Sequence, residues 1–237
     1  MTSDTAGSPT LGILSLDTAF PRILGDAGNP ASYPMPVRLR VVAGADGPVI
    51  VRGGRPPADL VARFRGAAQA LEADGAAAIV STCGFLVTVQ ADIAAAVRVP
   101  VMVSALSLLP SLTMTVGGRP IGVLTASAPS LDGALAAAGL PAQAVRVAGL
   151  DDVPAFADVF PVPKARQSDR LDRAALEAAA VAKACALMDG EPDLGAILLE
   201  CGNLPPYAAA IRAATGLPVV SILDAADLLW SAVGGGA

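Results

Sequence analysis

The strongest constraint on the fold is an internal repeat, because two halves of the chain carry matching segments in the same order. The segment from Ala78 to Cys83 is echoed by the segment from Ala196 to Cys201, and a glycine follows each cysteine. Pro100 and Pro218 each lie 17 residues after the cysteine of their own half (100 minus 83, and 218 minus 201) and open an apolar run. The repeat predicts two similar folded halves with cysteines at equivalent positions.

The pattern of apolar residues predicts the secondary structure of each half. Short apolar runs at 12–15 and 122–125 are typical of buried parallel strands. Residues 57–74 and 168–189 carry apolar side chains at the spacing of amphipathic helices. Strands that alternate with helices of this length indicate βαβ units. We therefore predict an α/β fold of two pseudo-symmetric lobes, each a parallel sheet flanked by helices, with the active site in the cleft between them.

The repeat also suggests domain boundaries. We place the N-terminal α/β lobe at residues 1–110 and the C-terminal α/β lobe at residues 111–217. The remaining segment, 218–237, is expected to hold the last strand and helix, which could pack back on the first lobe.

Composition excludes several classes of function. The 237 residues carry a net charge of −5 without blocks of like charge, so no basic surface for nucleic acid is expected. No apolar run has the length of a membrane span and the N-terminus lacks the pattern of a signal peptide, which predicts a cytoplasmic protein. The chain contains no histidine, and its three cysteines form no CxxC pair. We therefore expect no metal site and no Ser-His-Asp hydrolase.

The two repeated cysteines are the candidates for catalysis. Cys83 and Cys201 follow apolar runs at the predicted carboxyl ends of parallel strands, where ligands collect and helices begin. Backbone N–H groups and the helix dipole at such positions favour a thiolate. Two thiols facing each other across a cleft could act as proton acceptor and proton donor on opposite faces of a planar intermediate. Cys185, on the apolar face of its helix, is interpreted as a core residue.

The motifs around these cysteines resemble a known family. Residues 81–85, Ser-Thr-Cys-Gly-Phe, and 198–206, Leu-Leu-Glu-Cys-Gly-Asn-Leu-Pro-Pro, are similar to the two cysteine motifs of the aspartate/glutamate/hydantoin racemase superfamily. The resemblance covers about residues 12–229. It implies a pseudo-symmetric two-lobed fold, no cofactor, and an isomerase that acts on an acidic C–H beside a carboxylate or a hydantoin carbonyl.

The resemblance also implies a set of site residues. Cys83 and Cys201 correspond to the paired acid/base residues, and Ser15 and Thr125 correspond to hydroxyls that hold a substrate carboxylate. Arg22, in a long loop after the first strand, is a candidate carboxylate clamp because its planar fork matches that geometry. The other residues predicted to bind substrate lie beside these positions and are Asp17, Thr82, Gly84, Phe85, Gly202 and Asn203.

Four weaker candidates are Asp26, Asn29, Tyr33 and Glu200. Glu200 could raise the pKa of the neighbouring thiol by like-charge repulsion, although strand alternation should direct its side chain away from the site.

Three functions remain open from the sequence. The first is a two-cysteine racemase or epimerase, in which both cysteines are essential. The second is a related cofactor-free lyase, decarboxylase or cis-trans isomerase, similar to arylmalonate decarboxylase or maleate isomerase, in which one cysteine dominates. The third is an inactive binding protein that closes on a small acid. The expected partner is a small carboxylate or hydantoin-like molecule, and a homodimer is expected only because twofold dimers are common.

Overall fold

The computed structural model describes residues 9–234 of the chain, so positions 1–8 and 235–237 of the predicted domain ranges lie outside the described residues. The elements of the first half are β1 (Thr10–Leu16), β2 (Val37–Val42), α1 (Gly47–Ile50), α2 (Ala58–Ala73), β3 (Ala76–Ser81), α3 (Gln90–Ala94), β4 (Val101–Met102) and α4 (Leu109–Thr115). Those of the second half are β5 (Ile121–Thr125), α5 (Ala128–Ala138), β6 (Val145–Gly149), α6 (Pro154–Ala157), α7 (Arg173–Gly190), β7 (Ala196–Leu199), α8 (Ala208–Thr215), β8 (Val219–Val220) and α9 (Ile222–Ala232). Short 3-10 turns cover Pro30–Ser32, Gly84–Val89, Ala105–Leu108, Ala142–Ala144, Lys164–Arg166 and Pro205–Tyr207.

Each half forms one parallel sheet of four strands. The strand order is β2-β1-β3-β4 in the first sheet and β6-β5-β7-β8 in the second, which is the same order after renumbering. The central strands β1, β3, β5 and β7 are almost wholly buried, as expected for strands covered on both faces. The predicted fold class of two similar α/β lobes is confirmed.

Amphipathic helices cover these sheets. Helix α2 buries Leu60, Phe64, Ala68 and Leu71 along one face and contacts β1, β2 and β3. Full burial of a ring such as Phe64 stabilises the fold by roughly 1.5–3 kcal/mol. Helix α7 begins at Arg173, five residues later than the pattern of apolar residues suggested. The carboxylate of Asp172 accepts a hydrogen bond from the N–H of Ala175 and so caps the helix there.

The last helix of each lobe packs against the sheet of the other lobe. Helix α9, which begins with a capping box at Ser221, contacts β3 and β4 of the first sheet. Helix α4 follows the first sheet, and it and the turn before it contact β5 and β7 of the second sheet. Strand β8 pairs with β7, so the strand of segment 218–237 belongs to the second sheet and only its helix crosses to the first.

The exact domain bounds stay a prediction. Within residues 9–234, none of the helices has both the length and the apolar character that crossing a bilayer requires.

Candidate active site

The two repeated cysteines meet where the lobes face each other. Strand β3 ends at Ser81 and β7 ends at Leu199, two residues before each cysteine. Beyond the strand ends, Cys83 and Cys201 pair with each other through an isolated antiparallel bridge. Both are buried, with 7% and 8% of their surface exposed, and both are free thiols. The site is therefore formed by equivalent strand ends of two sheets.

The glycines after the cysteines allow this close approach. A side chain at Gly84 would collide with the main-chain oxygen and the carboxylate of Glu200, and one at Gly202 would collide with the main-chain oxygen of Thr82. Each lobe thus packs its glycine against the residue that precedes the other lobe's cysteine, so any larger residue would push the lobes apart.

The surroundings of Cys83 contain backbone donors. The N–H groups of Phe85 and Leu86 act on its sulfur and lower the pKa of the thiol. Burial, followed by the negative charge of Glu200, has the larger effect and raises the pKa of Cys83 to about 12. Cys83 is therefore a thiol at neutral pH, although the two N–H groups favour its thiolate.

The surroundings of Cys201 favour the thiol instead. Its Sγ donates a hydrogen bond to Asn203 Oδ1 at 3.4 Å, which requires the proton to be present. Burial and then the charge of Glu200 raise the pKa of Cys201 well above its usual value, although the Asn203 N–H lowers it. The amide of Asn203 is held in this orientation because its Nδ2 donates to Asp26 Oδ2 at 2.7 Å.

Asp26 connects the second lobe to the long loop of the first. Its Oδ1 accepts from Arg22 Nη1 at 2.9 Å and from the N–H of Gly28 at 2.7 Å. Arg22 Nη2 donates to Thr18 Oγ1 at 2.9 Å, and its guanidinium lies 4.4 Å from the centroid of the Phe20 ring. The loop is therefore held by a buried ion pair, and its arginine faces the cleft in a fixed position.

Glu200 is the buried charge of the site. Its side chain is 1% exposed, and Oε2 accepts hydrogen bonds from Thr125 Oγ1 at 2.9 Å and the Ala126 N–H at 3.3 Å. Oε1 has no partner among the described residues. Burial raises the pKa of Glu200 to about 7, while the two hydrogen bonds lower it. An unpaired buried polar atom costs about 1–3 kcal/mol and more when charged, so this oxygen is a place for a ligand.

These groups surround one cavity, and the space between atoms there is about 410 Å³ when the open solvent at its mouth is included. One wall carries two aromatic rings, Phe20 and Phe160, which meet edge to face with centroids 4.8 Å apart. The lining comes from both lobes and consists of Leu16, Thr18, Phe20, Arg22, Gly47, Val51, Thr82, Cys83, Phe85, Ala126, Phe160, Pro161, Glu200, Cys201 and Asn203. The cavity is small and largely apolar, and it holds few polar groups, as small-molecule sites do.

The residues predicted from sequence divide into two groups. Those that line the cavity are Cys83, Cys201, Arg22, Thr82, Phe85 and Asn203. Those that do not are Ser15, Asp17, Gly84, Thr125 and Gly202. The Ser15 hydroxyl donates to the carbonyl of Leu16 at 3.0 Å, and the Asp17 carboxylate pairs with Lys164 and accepts from the Gly44 N–H. The Thr125 hydroxyl donates to Glu200 and is committed to positioning that carboxylate.

Two contributions to the site were missed or misjudged. Strand alternation was expected to direct Glu200 away from Cys201, but β7 ends at Leu199, so alternation no longer applies at residues 200 and 201. Phe160 and Pro161 lie in an irregular segment between α6 and α7 that reaches the cavity only through tertiary folding. No periodic or motif signal marks them in the sequence.

The comparison with protein families agrees with this geometry. The family model described as Asp/Glu/Hydantoin racemase matches residues 27–227. The chain belongs to the Asp/Glu/hydantoin racemase family. Its membership confirms the family resemblance that the two cysteine motifs indicated.

Curated relatives of this family member carry a different enzyme name. It is 32% identical to "Dimethylsulfoniopropionate lyase" of Durusdinium sp. clade D over 226 residues, which cover 92% of this chain and 73% of that protein. It is 34% identical to "Dimethylsulfoniopropionate lyase 7" of Emiliania huxleyi (strain CCMP1516), covering 95% of this chain and 67% of that protein. For "Dimethylsulfoniopropionate lyase 3" of the same strain the chain spans only 57% of the relative's length. These relatives are named lyases, whereas the sequence motifs led us to expect an isomerase.

Solved structures share the fold. Unliganded arylmalonate decarboxylase superposes with a TM-score of 0.62 at 17% identity, covering 97% of this chain and 94% of that one. Allantoin racemase from Klebsiella pneumoniae superposes with a TM-score of 0.59 at 18% identity, covering 96% and 89%. At identities this low the superpositions show a shared fold, the two-lobed architecture, and nothing more specific.

Proposed function

We propose that the protein is a lyase that eliminates dimethyl sulfide from dimethylsulfoniopropionate, with Cys83 as the base. The observation that carries the proposal is the asymmetry of the two thiols. Among residues 9–234 the Cys201 thiol donates its proton to Asn203 Oδ1, whereas the Cys83 thiol makes no such hydrogen bond. An elimination needs one base, and the names of the curated relatives support dimethylsulfoniopropionate as the substrate.

The reaction balances without any further reactant. The Cys83 thiol first loses its proton to solvent, and the resulting thiolate removes a proton from C2, the carbon beside the substrate carboxylate, and becomes a thiol again, so that each turnover releases one proton. The C–H electron pair forms the C2–C3 double bond, and the C3–S bond breaks with its electrons moving to sulfur. Dimethyl sulfide leaves as a neutral molecule, so no acid is needed to protonate it, and acrylate remains.

The substrate itself helps to create the base. Burial raises the pKa of Cys83 to about 12, so little thiolate is present at neutral pH. A sulfonium cation about 5 Å from the sulfur would stabilise the thiolate by about 3 kcal/mol at an effective dielectric constant near 20. That energy corresponds to a decrease of about two pKa units, which favours a cationic substrate over a neutral one.

Arg22 is the group proposed to bind the substrate carboxylate. Each of its terminal nitrogens makes one hydrogen bond, to Asp26 and Thr18, whereas a guanidinium carries five N–H donors. The remaining donors on the face toward the cavity suit a carboxylate. The ion pair with Asp26 fixes the guanidinium before the substrate arrives, so little ordering cost is left for binding.

The test is product analysis in deuterated water. We expect wild-type protein to convert dimethylsulfoniopropionate to acrylate and dimethyl sulfide in equal amounts, measured by proton NMR and headspace gas chromatography. The double variant Cys83→Ser/Cys201→Ser is the control and should release neither product. No dimethyl sulfide from folded wild-type protein would overturn the proposal.

Racemisation is the second candidate, because the two thiols approach one cavity from opposite lobes. The same NMR experiment, extended to amino acids and hydantoins, distinguishes the candidates. Exchange of the α-hydrogen with inversion, dependent on both cysteines, supports a racemase or epimerase. Substituted malonates and maleate cover the decarboxylase and cis-trans isomerase alternatives, in which loss of carbon dioxide or formation of fumarate would be seen instead.

A further inference from the structure

The cavity has an unbalanced negative charge. Three acidic or basic side chains touch it or its immediate support: Arg22, Asp26 and Glu200. Arg22 and Asp26 form an ion pair at 2.9 Å and neutralise each other. Glu200 has no cationic partner among the described residues. When Glu200 is ionised the site carries one uncompensated negative charge, and a cation is the ligand that would compensate it.

The chain holds Glu200 in place on one side only. Thr125 and the N–H of Ala126 both bind Oε2, which leaves Oε1 buried, unpaired and on the side of Gly84. Glu200 itself lines the cavity together with both cysteines. Gly84 packs directly against Oε1, because a side chain at that position would collide with the carboxylate. Hydrogen bonds to Oε2 alone are typical of a carboxylate whose other oxygen binds a ligand.

The rest of the wall suits an onium ion rather than an ammonium with N–H groups. Phe85 and Phe160 line the same cavity, and aromatic faces attract cations whose surface is made of methyl groups. Phe20 is a poorer partner because Arg22 already occupies one face of its ring. A dimethylsulfonium group offers polarised C–H bonds and a full positive charge, which a carboxylate oxygen and aromatic rings can both accept.

We propose that Glu200 is the counter-ion for the cationic group of the substrate, and that it selects onium-bearing acids over their neutral isosteres. This inference rests on the proposed lyase function, since it assigns a binding group to that substrate's sulfonium. Glu200 and Arg22 then bind opposite ends of a zwitterion, and the reacting C2 and C3 atoms lie between them, beside the thiols.

The experiment compares two ligands of the same shape that differ in charge. The first is 3-(trimethylammonio)propanoate, a zwitterion whose cationic end is a poor leaving group, and the second is 4,4-dimethylpentanoate, in which carbon replaces nitrogen so that this end is neutral. Binding to wild type, Glu200→Gln, Glu200→Asp and Glu177→Gln is measured by calorimetry at pH 8.5, above the Glu200 pKa of about 7. Glu177 lies on α7 outside the cavity lining and makes a matched carboxylate-to-amide control.

We expect wild type and Glu177→Gln to bind the ligand with the onium group about tenfold more tightly than the other ligand. A tenfold ratio of dissociation constants corresponds to about 1.4 kcal/mol. Glu200→Gln should lose that preference while its affinity for the neutral isostere changes less than about threefold. Glu200→Asp keeps the charge and should keep part of the preference. Circular dichroism confirms that each variant is folded.

The outcomes separate the two proposals. An undiminished preference for the cation in folded Glu200→Gln overturns the role of Glu200, even if wild type releases dimethyl sulfide. Equal affinity of wild type for the two ligands also overturns it. If wild type shows the preference but releases no dimethyl sulfide, the lyase reaction is wrong and the cation site stands.

Discussion

The residue before each cysteine shows how the two lobes differ. In the first lobe Thr82 Oγ1 accepts a hydrogen bond from the N–H of Leu16 at 3.1 Å. In the second, Glu200 Oε2 accepts from the N–H of Ala126 at 3.3 Å. Leu16 and Ala126 occupy equivalent positions, at the end of β1 and just after β5. In both lobes a side-chain oxygen accepts the same hydrogen bond between neighbouring strand ends. The oxygen belongs to a hydroxyl group in the first lobe and to a carboxylate in the second.

The difference changes what each lobe contributes to the site. The single oxygen of Thr82 accepts one hydrogen bond and is uncharged, whereas the carboxylate of Glu200 brings a second oxygen and a charge. That charge raises the pKa of both cysteines. The repeated backbone places the two cysteines symmetrically, and the replacement of threonine by glutamate in the second lobe puts one carboxylate beside both thiols.

Among the tests of this difference between the lobes, substitution of the cysteines should have the largest effect, a loss of activity. For the lyase we expect Cys83→Ser to lower kcat/KM by about 10³-fold, because the base is removed, and Cys201→Ser to lower it about tenfold. Initial rates of dimethyl sulfide release measure both. Equal losses would contradict the assignment of one base and favour the symmetric two-base mechanism.

The charge of Glu200 should appear as a pH dependence of stability. Its pKa is raised from the ordinary 4.5 to about 7 in the folded state, so ionisation opposes folding. The penalty is absent below about pH 4.5, grows as the pH rises through 7 and is constant above, reaching about 3 kcal/mol. Cys83 and Cys201, which face this carboxylate, stay protonated over that range.

Urea unfolding of wild type and Glu200→Gln at pH 5 and pH 8.5 measures this penalty. The free energy of unfolding of the variant, relative to wild type, should rise by up to about 3 kcal/mol between the two pH values. Other carboxylates cancel in this difference, since they are common to both proteins. A constant difference would mean that the carboxylate is solvated.

The contact between the lobes can be tested at the paired glycines. Gly84→Ala adds a methyl group that collides with Glu200, so we expect a loss of about 2 kcal/mol of stability together with loss of activity. Gly66→Ala is the matched control, because the space around that exposed position in α2 is open. Alanine there should stabilise the protein by about 0.5–1 kcal/mol. Similar thermal midpoints for the two variants would argue against the tight contact.

Loss of the hydrogen bond from Asn203 to Asp26 should have the smallest effect, a modest loss of stability. Asn203→Ala removes the acceptor of the Cys201 thiol and leaves Asp26 Oδ2 without its donor, with an expected loss of about 1–2 kcal/mol. A double-mutant cycle with Asp26→Ala, read by urea unfolding, should give a coupling energy of about 1 kcal/mol. Additive effects would mean that the hydrogen bond contributes nothing.

Much of the architecture could be predicted because the sequence repeats itself. The spacing from each cysteine to the following proline reflects a strand end, a helix and the next strand, and the structure contains these elements in both halves. Strands β2 and β6 were not predicted: they lie at sheet edges, where β2 is only partly buried and the apolar pattern is weak. After Cys83 the chain forms a 3-10 turn followed by the short α3.

The candidate site could be predicted only where it depends on the strand ends. Cys83, Cys201 and their neighbours Thr82, Phe85 and Asn203 were found because a motif marks the end of a parallel strand. Phe160 reaches the cavity from an irregular segment, and no local pattern encodes such a contact.

The sequence by itself determined the two-lobed α/β fold, the equivalence of the two cysteines and their position just beyond the carboxyl ends of parallel strands. Apolar periodicity and repeat spacing are local properties of the chain, so they can be read from it directly. Only the tertiary structure decided that Glu200 faces the cavity with a free oxygen, that Asn203 holds the Cys201 proton and that Arg22 is fixed by Asp26. These properties arise from contacts between residues as far as 177 positions apart, and hydrogen-bond partners and burial at that range set the proton affinities.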